Sequence, residues 1–187
     1  FADYTGYIQA DAYGGYDRLF LPGGATEVGC WFHARRGFIK AETTDPAPAM
    51  PAIDRIGKVF LIEEAAVSLT PEDRARLRQE KAAPLLEELR SWMELTATQV
   101  LPSGPMAQAI TYVRNQWGAL TRYLEDGRLQ MTNNVAERAV KPFAIGRKNW
   151  LFAGSERAGQ RAAVIQSLLA TAKANELDPA AWLKDTL

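Results

Sequence analysis

The sequence predicts a helix-rich α/β domain on three observations: two short strand-like runs near the N-terminus, a long helical middle, and three helix starts toward the C-terminus. Thr5 to Asp11 carries aromatic and β-branched residues in loose alternation, with Gly14 and Gly15 behind it. That pattern predicts a buried strand ending near Asp11. Pro22-Gly23-Gly24 predicts a loop. Thr26 to Phe32 predicts a second strand running into a basic segment with Arg35, Arg36 and Lys40. Two strands around a Gly/Pro break make half of an α/β sheet.

Asp45-Pro46-Ala47-Pro48 reads as a linker, after which Ile53, Ile56, Val59, Phe60 and Val67 recur at helical spacing. Thr70-Pro71-Glu72-Asp73 offers an N-cap, a proline at the first helical position and an acid three residues past the cap. Pro84 is expected to kink or break the helix that starts there, because proline lacks an amide donor and clashes with the preceding turn. Ala109, Ile110, Val113, Trp117, Leu120 and Leu124 form another apolar stripe, which Gly127 is placed to close as a C-cap. These segments predict an antiparallel helical hairpin or bundle. Further helices are predicted from Val135 to Phe143 behind Thr132-Asn133-Asn134, from Ser155 to Asn175, and from Asp178-Pro179 through Leu183.

Composition narrows the function classes. The 187 residues balance 22 Lys+Arg against 22 Asp+Glu and are 47% hydrophobic, which fits one folded domain and argues against a disordered tail. No apolar run approaches the roughly 18 residues that span a bilayer, so no membrane partner is expected. One cysteine and one histidine make no disulfide framework and do not complete a tetrahedral zinc site by themselves. Any metal must therefore be held mainly by carboxylate oxygen. With no signal-like segment, the cytoplasm is the expected compartment. The first residue is Phe1 and not Met, which predicts that further residues precede it.

Neutrality hides a segregation of charge. From Arg128 to Arg161 the cations are Arg128, Arg138, Lys141, Arg147, Lys148, Arg157 and Arg161, against only Glu137 and Glu156. The compensating acids, among them Glu63, Glu72, Glu80, Glu87 and Glu94, sit in the helical middle. Such a basic segment suits a polyanion, since Lys and Arg neutralise phosphates and release counterions. A solvated helix face accounts for it equally well.

Two acids stand out, each with two readings. Glu137 completes a capping box if Asn134 is the N-cap, or it is a metal ligand among cations. Asp11 caps the end of a strand, or it is a ligand at the carboxyl end of a sheet, where α/β folds place their sites. Carboxylates from two elements suit Mg²⁺ or Mn²⁺. Cys30 and His33 form a C-x-x-H pair whose favoured reading is structural, a packed cysteine beside a hydrogen-bonded histidine. Asn133 and Asn134 are read first as caps.

At these residues the chain resembles a known family. YIQADAYGGYD, GCWFHARRGF, the run GALTRYLEDGRLQMTNNVAERAVKPFAIGRKNWLFAGSERAG and the ending ANELDPAAWL are similar to the transposases of bacterial insertion sequence 66. The resemblance implies a partial ribonuclease-H-like core with a helical insertion, in three segments: residues 1–44 with the second catalytic acid, 45–127 as the insertion, and 128–187 with the third acid. Asp11 would be the second acid and Glu137 the third, 137 − 11 = 126 residues apart. The C-x-x-H pair resembles a motif found after the second acid in several related superfamilies.

The resemblance further implies two Mg²⁺ or Mn²⁺ ions held by three acids, in-line cleavage at insertion-sequence ends and strand transfer, with no covalent enzyme intermediate. DNA would be the partner, Arg138, Lys141, Arg147 and Lys148 the phosphate contacts, and a homo-oligomer the working form. One departure is visible: only Asp3 precedes Asp11, and so short a segment does not supply the strands that carry the first acid. A truncated, inactive nucleic-acid-binding or interaction fragment is therefore the rival expectation.

Overall fold

The computed structural model describes residues 3–150 and 154–186, and the side chains of 3–146 and 154–186. The chain divides into two compact units, one ending at Asn133 and one beginning at Asn134. It is helix-rich as expected, with one small sheet among the described residues.

The first unit opens with β1 (Tyr7–Gln9) and β2 (Thr26–Val28), paired in parallel with Tyr7 opposite Thr26 and Gln9 opposite Val28. Between them a 3-10 turn spans Gly14–Leu19. The Pro22-Gly23 loop is a tight turn: the Gly24 amide donates to the Leu21 carbonyl at 2.8 Å and Gly23 takes φ +85°. That positive φ is what a turn with proline first and glycine second requires.

The second strand is shorter than predicted. The Gly29 amide turns away to the Ala119 carbonyl at 2.8 Å, Cys30 stays extended, and helix α1 (Trp31–Glu42) starts on residues expected to be strand. A Cβ at Gly29 would stand 3.0 Å from the Leu120 nitrogen, so glycine permits this close approach.

The expected linker at Asp45–Pro48 is instead the start of α2 (Pro46–Ala65), with Asp45 at the cap position. Proline suits the first helical position, where no intrahelical amide bond is lost.

Pro84 does not break its helix either. α3 (Pro71–Leu77) passes through a π-turn at Arg78–Ala82 into α4 (Ala83–Ala97). The Ala83 amide bonds to the Arg78 carbonyl, five residues back, so the ladder has already shifted where the proline has no donor. At the start of α3 the predicted cap forms, with Thr70 Oγ1 accepting the Asp73 amide at 3.2 Å.

The last apolar stripe is split at Gln116 into α5 (Pro105–Asn115) and α6 (Trp117–Thr121). Its closing glycine has another role. Gly127 is not left-handed but lies against α3, where a Cβ would overlap the Pro71 carbonyl.

α1 packs on α2 and α5, and α2 on α4. Trp31 and Phe38, Ile56 and Val59, Leu86, Leu89 and Met93, and Ile110 and Val113 fill the core between them. Each Leu- or Phe-sized side chain buried there contributes about 1.5–3 kcal/mol relative to exposure.

Within this core lies a buried cation. All five guanidinium donors of Arg78 are used: two go to the Glu63 carboxylate at 2.8 and 2.7 Å, and three to the Tyr123, Asp126 and Leu129 carbonyls at 2.7, 3.0 and 3.0 Å. The group also lies 4.9 Å from the centre of the Tyr123 ring. Burial raises the Tyr123 hydroxyl well above its ordinary range, so it remains protonated.

The second unit holds α7 (Asn134–Trp150), α8 (Glu156–Ala174) and α9 (Pro179–Thr186). α7 runs past the predicted end at Phe143, through Pro142. Ser155 caps α8 by accepting the Ala158 amide at 3.1 Å, and Asp178 caps α9 through the Ala180 amide at 2.8 Å. α8 packs on α9. Ala172 is the one buried residue among the described residues of this unit. No helix among the described residues is long and apolar enough to cross a membrane.

Candidate metal centre

Parallel strands bring their carboxyl ends to the same edge, so the residues just past each strand meet there. After β1 comes Asp11; after β2 comes the first turn of α1, with His33. Residues 22 positions apart thus meet, with His33 Nε2 3.8 Å from Asp11 Oδ2. Both are partly open, the side chains retaining 19% and 35% of their exposure.

Asp11 is held from several directions. Its Oδ1 accepts the Tyr13 amide at 3.3 Å, and its carbonyl accepts the Tyr112 hydroxyl, from α5, at 3.3 Å. Between Asp11 and Tyr13, Ala12 adopts φ +63°. A left-handed alanine costs roughly 1–2 kcal/mol, so the surrounding bonds fix a conformation the local chain would leave. Burial, with the charges of Asp11 and Glu27 adding to it, pushes the Tyr112 hydroxyl up to about 12, which keeps it a donor at neutral pH.

Glu27, at the centre of β2, shares this neighbourhood. Burial raises its carboxyl above the usual range, as do the charges of Asp17 and Asp11, against the opposing pull of Arg122. Negative charge is thus concentrated around the end of β1. A carboxylate with open faces, hard oxygen donors and further acids nearby fits a divalent cation.

The segment leading to α7 is tied to this edge. Gln9 Nε2 donates to the Gln130 carbonyl at 2.6 Å and the Trp31 amide to the Met131 carbonyl at 3.1 Å, while Arg74 Nη1 on α3 holds the Gly127 carbonyl at 3.1 Å. The Asn133 amide lies 3.5 Å from Cys30 Sγ, and the Asn133 side-chain oxygen is buried with no hydrogen-bond partner among the described residues. The C-x-x-H pair therefore divides. Cys30 is fully buried and faces Asn133, whereas His33 faces Asp11. Near the start of this segment, hydrogen bonds from the Arg128 side chain and amide hold the Asp126 carboxyl down at about 2.

In the second unit, Asn134 is the first residue of α7 and Glu137 stands in its first turn, exposed. Arg138 and Lys141 come next, both exposed and three residues apart on the same helix. Arg147 and Lys148 fall outside the described side chains.

Sequence reasoning missed Glu27, Tyr112 and Arg78. A single acid inside a predicted strand was the only signal for Glu27. Tyr112 bonds a residue 101 positions away, and Arg78 bonds Glu63, 15 positions back, and carbonyls 45 to 51 positions ahead; such partners have no signature in sequence.

Three curated proteins of Sinorhizobium fredii (strain NBRC 101917 / NGR234) are similar to this chain along its whole length: Uncharacterized protein y4hP at 34% identity, y4qI at 35% and y4jD at 32%. The chain spans 37%, 36% and 38% of their respective lengths. No solved structure matches. The family model described as "Transposase IS66 family" matches residues 1–161, taking in Asp11, the C-x-x-H pair and the whole basic segment through Arg161. On that match the chain belongs to the IS66 family of transposases.

Proposed function

We propose that this chain carries the second and third carboxylates, Asp11 and Glu137, of a metal-dependent centre for DNA strand cleavage and strand transfer at insertion-sequence ends. The observation that carries the reading is Asp11 itself: an acid at the carboxyl end of a parallel strand, clamped by Tyr13 and Tyr112 around a left-handed Ala12. Backbone strain at Ala12, the residue next to this acid, supports a site whose geometry is maintained against local preference. Family membership supplies the class of reaction.

In this reading residues 1–44 and 128–187 contribute to a ribonuclease-H-like core and 45–127 form the helical insertion. Asp11 and Glu137 hold Mg²⁺ or Mn²⁺, which when bound supplies charge stabilisation for in-line phosphoryl transfer. Arg138 and Lys141 bind DNA phosphates and orient the strand; Arg147 and Lys148 are assigned as further phosphate contacts from their place in the basic segment of the sequence. Cys30, Asn133 and Asn134 set the start of the helix that carries Glu137. DNA is the substrate and partner, and a homo-oligomer is the working assembly.

Titrating the chain with a DNA duplex across salt concentrations tests the DNA half of this reading. The affinity is expected to fall with salt. Replacing Arg138 and Lys141 together with alanine is expected to flatten the log–log slope by about 1.8, roughly 0.9 for each phosphate no longer neutralised. An unchanged slope overturns the assignment of these two cations to phosphates. Binding that keeps its salt dependence but gains nothing from Mn²⁺ favours the non-catalytic DNA-binding fragment instead.

A further inference from the structure

The chain has a single histidine, and the fold places it at the candidate metal centre. His33 Nε2 and Asp11 Oδ2 are 3.8 Å apart, too far for a direct hydrogen bond. Two ligands each about 2.1 Å from one ion lie at most about 4.2 Å from each other, so this gap can be bridged by a single ion. Both side chains remain partly open to solvent, which gives an ion a way in.

The pair is also preorganised. Asp11 is fixed by the Tyr13 amide and the Tyr112 hydroxyl. His33 rides on the first turn of α1, where its neighbours Trp31 and Ala34 are buried in the core. Neither ligand needs large reordering to close on a cation, and rigid support of this kind favours binding.

We propose that His33 is a nitrogen ligand to the divalent ion held by Asp11, so that the centre is a mixed nitrogen–oxygen site. The proposal rests on the reading of Asp11 as a metal ligand and adds a consequence of its own. Carboxylate oxygens suit Mg²⁺ and Mn²⁺ alike, whereas an imidazole shifts preference toward transition metals. Mn²⁺ therefore binds more tightly than Mg²⁺, and the margin depends on His33.

The test is pulsed electron paramagnetic resonance of Mn²⁺ added to the 187-residue chain without a polyhistidine tag, in a buffer free of nitrogen ligands. The expected result is ¹⁴N modulation from a directly coordinated imidazole, changing to the ¹⁵N pattern when the protein is grown on ¹⁵N-histidine. With one histidine in the chain, the signal has one source. In His33→Gln the modulation disappears and Mn²⁺ affinity falls about tenfold or more, Mg²⁺ affinity falls less, and the melting temperature stays close to that of the wild type. Mn²⁺ bound in an Asp11-dependent way but without nitrogen coupling overturns the His33 assignment and leaves the Asp11 reading standing. No Mn²⁺ binding at all removes both.

Discussion

Replacing Glu63 with alanine is expected to destabilise the first unit by about 3–5 kcal/mol, the usual consequence of leaving a buried charge without its partner. The Arg78 side chain retains 1% of its exposure and the Glu63 side chain 16%, so with the pair intact the cation has almost no contact with water and relies on the carboxylate for its counter-charge. Three carbonyls still face the guanidinium, but dipoles do not neutralise it. Thermal unfolding followed by circular dichroism should show a drop on the order of 10 °C for a unit of this size. Arg78→Met combined with Glu63→Leu should recover only part of the loss. Replacing an ion pair by apolar side chains can be neutral in itself, but here the Tyr123, Asp126 and Leu129 carbonyls would lose their donors. Full recovery would mean that these carbonyls find other partners and that Arg78 does not organise the segment leading to α7.

Gly127→Ala is expected to cost about 2–3 kcal/mol, near the upper range for overpacking. Its added carbon would overlap the Pro71 carbonyl, and the obstacle is backbone, not a side chain able to swing aside. Any retreat of residue 127 also pulls on the Arg74 bond to its carbonyl and on the Arg78 bond to the Asp126 carbonyl. Denaturant unfolding should show a lower midpoint with an unchanged slope. A midpoint within experimental scatter of the wild type would show that α3 and this segment separate easily.

Thr70, Ser155 and the Pro22-Gly23 turn were legible in the sequence because each is a local device, complete within four residues. The misread elements failed where tertiary structure overrode a local signal. Residues 29–32 look like strand by composition, but the Gly29 amide finds its partner on Ala119 and the chain turns into a helix. Asp45-Pro46 looks like a linker, yet the same pair is a sound helix start. Pro84 looks like a break, yet a π-turn over the preceding residues absorbs it. Gly127 was rightly singled out, but for a conformational reason when its role is steric.

The site was legible as residue types and not as geometry. Asp11 was readable from its place after a strand, and Glu137 from its setting among cations. That His33 lies beside Asp11 is a consequence of β1 and β2 pairing in parallel, which neither strand's sequence states. The left-handed Ala12 and the Tyr112 clamp were invisible for the same reason, since they depend on α5 packing near the end of β1.

Calorimetric titration of the chain with Mn²⁺, set beside the same titration of an Asp11→Ala, Glu137→Ala double variant, tests the central claim most directly. The expected result is saturable binding in the wild type that is lost in the double variant while its circular dichroism spectrum and melting temperature are retained. Equal Mn²⁺ affinity in the two proteins would contradict the assignment of these acids as metal ligands.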